Sequence, residues 1–209
     1  MANNDQSFTS AGLTYRYSPK GVQLEPFKKA ARLDSSAFKF LRLLSISPVP
    51  SMVSFEMYNE QVFYRSRYRD NLLRDLPGEN LIKYYYGNRN YDLQWNLTRN
   101  ITLVYTARMQ AILDDVDGQV TAEQDVKFGS RLFHKGRAKN YGQNIKATWR
   151  LPLQDIYLLD WINANATFDT KYHFRSVAFG QPNDGPAEYQ FGHLLENGRD
   201  LGIDGRVDL

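Results

Sequence analysis

The chain has 209 residues, 42% hydrophobic and 23% charged, a composition that supports one domain with a core and does not fit a disordered segment. Its 26 basic and 23 acidic residues leave a net charge of +3, no electrostatic case for a nucleic-acid-binding protein, and the lack of cysteine excludes a disulfide scaffold, a thiolate metal site and a thiol nucleophile. No apolar run reaches the ~18 residues of a transmembrane helix, so a membrane role would fall to strands.

Residues 1 to 10, MANNDQSFTS, contain neither a basic stretch nor an apolar one, so no signal peptide is expected there. A first strand is predicted near 8–17, where Ala11, Leu13, Tyr15 and Tyr17 alternate with small or polar residues. One short helix is predicted near 26–44: Phe27, Ala31, Phe38, Leu41 and Leu44 fall roughly on one side before Pro48 and Pro50 end it. A second strand is expected near 51–66, carrying Val53, Phe55 and Met57.

The alternation is cleaner further on. Near 84–98, Tyr85, Gly87, Arg89, Tyr91, Leu93, Trp95 and Leu97 oppose Tyr86, Asn88, Asn90, Asp92, Gln94, Asn96 and Thr98. After a break at 98–100 it resumes over 101–112 with Ile101, Leu103, Tyr105, Ala107, Met109 and Ala111, which makes these two strands a hairpin. Over 138–151, Tyr141, Gln143, Ile145, Ala147, Trp149 and Leu151 lie on one side, and Asn140, Gly142, Asn144, Lys146, Thr148 and Arg150 on the other. Over 161–177, Ile162, Ala164, Ala166, Phe168, Tyr172 and Phe174 oppose Asn163, Asn165, Thr167, Asp169, Lys171, His173 and Arg175, and a last strand is expected over 197–209. The 209 residues thus read as one all-β region, an antiparallel up-and-down meander of about seven long strands.

Strand length and connections carry further information. Globular strands average about 5 or 6 residues, whereas these alternate for roughly 12 to 17, and ten steps at a 45° tilt cover about 23 Å, near the height of an outer-membrane barrel's apolar band. The connections at 98–100, 113–135, 152–160 and 178–193 run very short, long, moderate and long, the rhythm of a barrel with tight turns at one end and loops at the other. Periodicity leaves open which face is inside: a soluble barrel or sandwich buries the apolar face around an apolar ligand, and a membrane barrel turns it to lipid. Aromatic residues near strand ends, Tyr85, Tyr91, Trp95, Tyr141, Trp149 and Tyr172, suit the interfacial belts of the second arrangement.

Several segments in order resemble one family: EPFKKAA at 25–31, LLSISPVPSMVSFEM at 43–57, NRNYDLQWNLTRNITLVYTARMQAILDD at 88–115, GRAKNYGQNIKATWRLPLQDIYLLDWINANATFDTKYHF at 136–174 and HLLENGRDLGIDGRVDL at 193–209. Together they resemble an internal piece of the SprA (Sov) family, the large outer-membrane β-barrel translocon of the type IX secretion system in Bacteroidota, which also serves gliding motility in some of them. The strand, the LPLQDIYLLDW link and the strand after it are the most specific part.

The resemblance implies an open segment of a large outer-membrane β-barrel in a Gram-negative cell that passes folded cargo to the surface without chemistry on it. The implied partners are the remainder of the same barrel, a small shuttle barrel, a periplasmic plug, secreted cargo and outer-membrane lipid. Absence of a signal peptide, short length and a last strand without a terminal aromatic all depart from a complete barrel and fit a fragment. On this reading Asn144, Lys146, Thr148, Arg150, Asn165, Thr167, Asp169 and Lys171 face the lumen, and Tyr141, Ile145, Ala147, Trp149, Ile162, Ala164, Ala166 and Phe168 face lipid.

Residues that could carry chemistry are scattered. His134, His173 and His193 are isolated in sequence, with no paired-histidine zinc spacing. Asp114, Asp115 and Asp117 precede Gly118, but alignment on that glycine puts Leu113 at the first ligand position of a calcium loop. No nucleophile elbow, Walker or dinucleotide fingerprint occurs, so neither an enzyme nor a cofactor is expected. FYRSRYRD at 63–70 and KYYYGNRNY at 83–91 mix arginine with stacking aromatics as single-strand binders do, but the acidic residues that follow the arginines favour a charged loop rim over nucleic acid. Asn96, Asn100 and Asn165 each open an N-x-T triplet in or beside a predicted strand and are read as chance.

Overall fold

Period-two alternation becomes, in the computed structural model, a single antiparallel sheet. The structure describes residues 2–26, 45–68, 79–113, 118–119, 133–156, 159–176 and 192–207. The strands are β1 (Ala2–Tyr17), β2 (Met52–Tyr68), β3 (Glu79–Asn96), β4 (Ile101–Ile112), β5 (Gly118–Gln119), β6 (Arg137–Leu151), β7 (Ile162–Arg175) and β8 (Leu194–Val207). The sheet runs β1-β2-β3-β4-β6-β7-β8 in space, so every long strand pairs antiparallel with its neighbour in sequence; the two-residue β5 pairs with β3 at Ile82 and Lys83, past the end of β4. This is the all-β up-and-down meander that the alternation implied. The helix expected near 26–44 falls almost wholly outside the described residues, and among those described the only helical element is a 3-10 turn at Leu153–Asp155.

Three strands begin earlier than alternation indicated. β1 starts at Ala2 rather than near residue 8, because Asn3 to Ser7 are polar on both faces and hold their place by backbone pairing with Phe63 to Arg67 of β2. β3 starts at Glu79 rather than near 84, with Leu81 to Arg65 and Ile82 to Tyr64 in register, and β8 starts at Leu194. Ladder hydrogen bonds do not need a side-chain pattern, so such extensions are silent in sequence.

The β3–β4 turn is tight because Thr98 closes it: its hydroxyl accepts the amides of Asn100 at 3.1 Å and Ile101 at 2.9 Å. The connections over 18–51 and 152–161 reach the same end of the sheet, called here the short-turn end. β2, β4 and β7 end at the opposite side of the sheet, called here the excursion end. The short-against-long rhythm therefore holds from β3 onward and fails at the first connection, the longest of all, which shares the end with the tightest turn.

Part of that long connection is folded onto the turn. Leu24 bridges Ile46, and Ile46 bridges Thr98, so the sheet extends beyond β1, β2 and the β3–β4 turn. The Trp95 indole N–H donates to the Ser47 carbonyl at 2.8 Å, and Arg99 pairs with Glu25 at 2.7 Å. Ser47 is buried, so Trp95→Phe strands its carbonyl without the indole donor and is expected to cost about 1 kcal/mol in denaturant unfolding.

At the excursion end, one face is covered. Arg89 donates to the carbonyls of His134 and Lys135, and the Leu113 amide donates to the Tyr85 carbonyl at 2.8 Å. A Cβ on Gly87 would lie 2.9 Å from Asn59 Oδ1 and 3.1 Å from both methyls of Leu113, so this glycine makes room for those two side chains. Beneath lie Tyr85, Lys83, Asn59 and Ala111. Tyr85, expected as an interfacial aromatic, is instead 0% exposed. Gly136 opens β6 at φ +66°, and a bulge opposite Gln110 and Ala111 sets aside Lys139, whose ammonium lies 4.9 Å from the Tyr86 ring centre.

Candidate functional site

Among the described residues, the side chains are organised by the two faces of the sheet. Directly paired residues project on the same face, so the registers sort side chains without ambiguity. Asn144 pairs with Lys171, Lys146 with Asp169, Thr148 with Thr167 and Arg150 with Asn165. All eight residues expected to line a lumen thus share one face, in four cross-strand pairs. On the other face Ala147 pairs with Phe168, Trp149 with Ala166 and Leu151 with Ala164, while Tyr141, Ile145 and Ile162 complete the eight expected to meet lipid. Seven of these are at least partly exposed, Trp149 at 45%, and Ala164 is buried at 8%, a small side chain flanked in register by Leu151 and Gly205.

The apolar face is not apolar over its whole height. Moving toward the excursion end along six of the seven long strands, the apolar stretch stops at a polar residue: Thr9 on β1, Asn59 on β2, Arg89 on β3, Gln143 on β6, Thr170 on β7 and Arg199 on β8; on β4 the same face has no polar residue from Ile101 to Ala111. This margin runs oblique to the ladder. Thr9 pairs with Gln61, not Asn59; Asn59 with Gly87, not Arg89; Arg89 connects through Met109 to Tyr141, not Gln143; Gln143 pairs with Tyr172, not Thr170. Each of these four comparisons displaces the margin two residues toward the short-turn end, and Thr170 to Arg199 adds none, so it climbs eight residues in the six steps from β1 to β8. At ~3.3 Å per residue and ~4.8 Å per strand, that slope is a strand tilt of about 40° from the normal to the margin.

Aromatic residues sit along both borders of the apolar stretch. Toward the excursion end, the Tyr105 and Tyr141 hydroxyls are 3.5 Å apart, the Tyr141 hydroxyl donates to Gln143 at 2.9 Å, and the Tyr141 and Tyr172 rings are 6.1 Å apart. Phe55 and Tyr91 continue the row at 5.1 Å. At the short-turn end lie Tyr17 and the three tryptophans, Trp95, Trp149 and Trp161. From Gln143 to Leu151 the apolar stretch of β6 spans eight residues, about 20 Å along the normal at that tilt.

The opposite face is a mosaic of amides and charges. Arg108 pairs with Asp92 at 2.8 Å, Asn90 donates to Glu56 at 3.2 Å, and Asn140 to Gln110 at 2.9 Å. Gly142 leaves a shallow groove of about 250 Å³ between Arg108, His173, Asn88, Asn90, Gln110 and Asn140. His173 lies 3.6 Å from the Glu196 carboxylate, His193 rests against Phe174, and the His134 ring accepts the Gly136 amide at 3.1 Å. The structure brings none of the three histidines together, and among the described residues no group of three His, Asp or Glu could hold a metal ion. Arg65, Lys83 and Arg89 share a face with Phe63, Tyr85 and Tyr91, the Arg65 guanidinium 5.6 Å from the Phe63 ring centre, whereas Tyr64, Tyr84 and Tyr86 lie on the other face. Asp114, Asp115 and Asp117 lie outside the described residues.

No protein-family model and no curated protein matches this chain. The Arg89 clamp, the Lys139 bulge and the sloping margin escaped sequence reasoning, since each depends on which strand residues stand opposite one another.

Proposed function

We propose that this chain is a stretch of wall in an outer-membrane, protein-conducting β-barrel of the type IX secretion kind, with the Ile145 and Trp149 face toward lipid and the Lys146 and Arg150 face toward a water-filled passage for folded cargo. The observation that carries this reading is the sloping apolar margin. Outer-membrane barrels tilt their strands by about 35–45°, so a lipid boundary level with the membrane must cut obliquely across the ladder, as this one does. The aromatic borders fit the girdles of such barrels, and a ~20 Å apolar stretch is close to their ~25 Å apolar band. The sequence resemblance, from EPFKKAA at 25–31 to HLLENGRDLGIDGRVDL at 193–209, supplies the secretion role.

Transport through such a wall asks for hydration, not catalysis. Amides, hydroxyls and paired charges on the polar face hold water and give a passing protein surface nothing apolar to adhere to. The remainder of the barrel, outer-membrane lipid, the shuttle barrel, the periplasmic plug and the cargo are the proposed partners. Expressed with an export signal and its adjoining strands, the chain is expected to fractionate with outer membranes and to resist alkaline extraction. Recovery as a soluble monomer with one cooperative unfolding transition would instead support a soluble β-domain enclosing an apolar ligand.

A further inference from the structure

On the polar face, Tyr58, Asn88, Gln110 and Asn140 stand directly opposite one another across β2, β3, β4 and β6. The next row toward the short-turn end holds Glu56, Asn90, Arg108, Gly142, His173 and Glu196, in register from β2 to β8. Because residue 142 has no side chain, the space between Arg108 and His173 stays open, and this is the groove of about 250 Å³. A hydrated wall has no need of it.

The lining groups narrow what the groove would take. Both of its basic side chains are already met: Arg108 pairs with Asp92 at 2.8 Å and donates to the carbonyls of Tyr91 and Ala107, and His173 lies 3.6 Å from Glu196. An anionic ligand would have to break these contacts, so charge favours a neutral one. Asn90 donates to Glu56 and Asn140 to Gln110, each bond using one side of an amide and leaving donors and acceptors interleaved along the two rows. Hydroxyl groups, which both donate and accept, match that lining. Tyr58 is 41% exposed beside Asn88, and in the row beyond it the Tyr86 ring stacks with Tyr84 at 6.1 Å. Tyrosine offers a flat apolar ring with a polar tip, a surface for the C–H face of a sugar ring. A peptide main chain is the rival occupant, but it gains its hydrogen bonds at a sheet edge. The groove lies over β3, β4, β6 and β7, inside the sheet, where the backbone is spent in the ladder.

We propose that this groove and the tyrosines beside it bind a neutral oligosaccharide laid across the strands. The groove is smaller than the ~300–1,000 Å³ of a pocket for a drug-sized ligand, so it suits one sugar ring, with further rings along the Tyr58 row. The site goes beyond the wall reading and stands without it, because the groove opens on the polar face whichever side meets lipid.

Saturation-transfer NMR on the assembled protein in a sugar-free detergent, with maltohexaose, cellohexaose and chitohexaose as probes, is the test. At least one of these sugars is expected to bind, and Gly142→Leu, which fills the groove, to abolish the binding. Asn88→Ala and Tyr58→Ala leave the groove open and should each weaken binding about tenfold while the protein stays assembled. Those two variants decide the matter if Gly142→Leu does not assemble. Binding of none of the sugars, binding that survives every substitution, or tighter binding of hexaglutamate or hexaproline in the same groove would overturn the proposal. Fractionation of the same sample keeps the two readings apart. Oligosaccharide binding by a soluble chain would keep the groove and discard the lipid face, and an integral membrane chain that binds none of the sugars would do the reverse.

Discussion

Ala147→Arg is expected to destabilise the assembled wall in lipid by about 2–4 kcal/mol, the cost of an arginine on the lipid side near mid-bilayer. Ala147 pairs with Leu103 on one side and Phe168 on the other, four residues inside the Gln143 margin and two from Trp149. A guanidinium there has only apolar neighbours and no water unless it distorts the bilayer. Ala147→Asp should cost less than Ala147→Arg, as acidic substitutions do on lipid faces, an order that a sealed protein core does not impose. Lys146→Ala, one residue along on the hydrated face, should cost little. Urea unfolding of the refolded barrel from vesicles measures all three.

Gly136→Ala should be the most damaging of the small substitutions, by about 2 kcal/mol or more. Left-handed backbone costs an L-residue roughly 1–2 kcal/mol before any contact is considered, and Gly136 sits at φ +66°. The added Cβ would also lie 2.5 Å from the Ile112 carbonyl oxygen and 3.0 Å from Leu113, so the start of β6 must move away from β4. That shift would pull on the bulge at Lys139 and on the carbonyls that hold Arg89. Gly142→Ala is the control: its Cβ would meet His173 at 3.4 Å, an ordinary contact, and should leave the unfolding midpoint nearly unchanged.

Much of the fold was legible because side chains on a strand alternate and the chain alternates for so long. The hairpin at 98–100, the order of seven strands and the two faces of β6 and β7 follow from period two alone. Residues 2–7 and 79–83 gave no such signal, since they join the sheet through backbone groups that every residue carries. Tyr85 reads as an interfacial aromatic because sequence spacing cannot reveal that its side chain is buried, beside a β3 segment where Arg89 holds the carbonyls of His134 and Lys135. The candidate faces were readable residue by residue, but their slope was not. It appears only once Thr9, Asn59, Arg89, Gln143, Thr170 and Arg199 are placed in register, and the connection lengths do not encode that register.

Orientation of the two faces is the central claim, and accessibility along β6 tests it most directly. Because the sequence has no cysteine, single substitutions Asn144→Cys through Arg150→Cys can each carry a spin label without background. In the assembled barrel in lipid, collision with oxygen should peak at positions 145, 147 and 149, and collision with a water-soluble nickel chelate at 144, 146, 148 and 150. Nickel maxima at 145, 147 and 149, or no alternation at all, would contradict a lipid-facing Trp149 and a passage lined by Arg150.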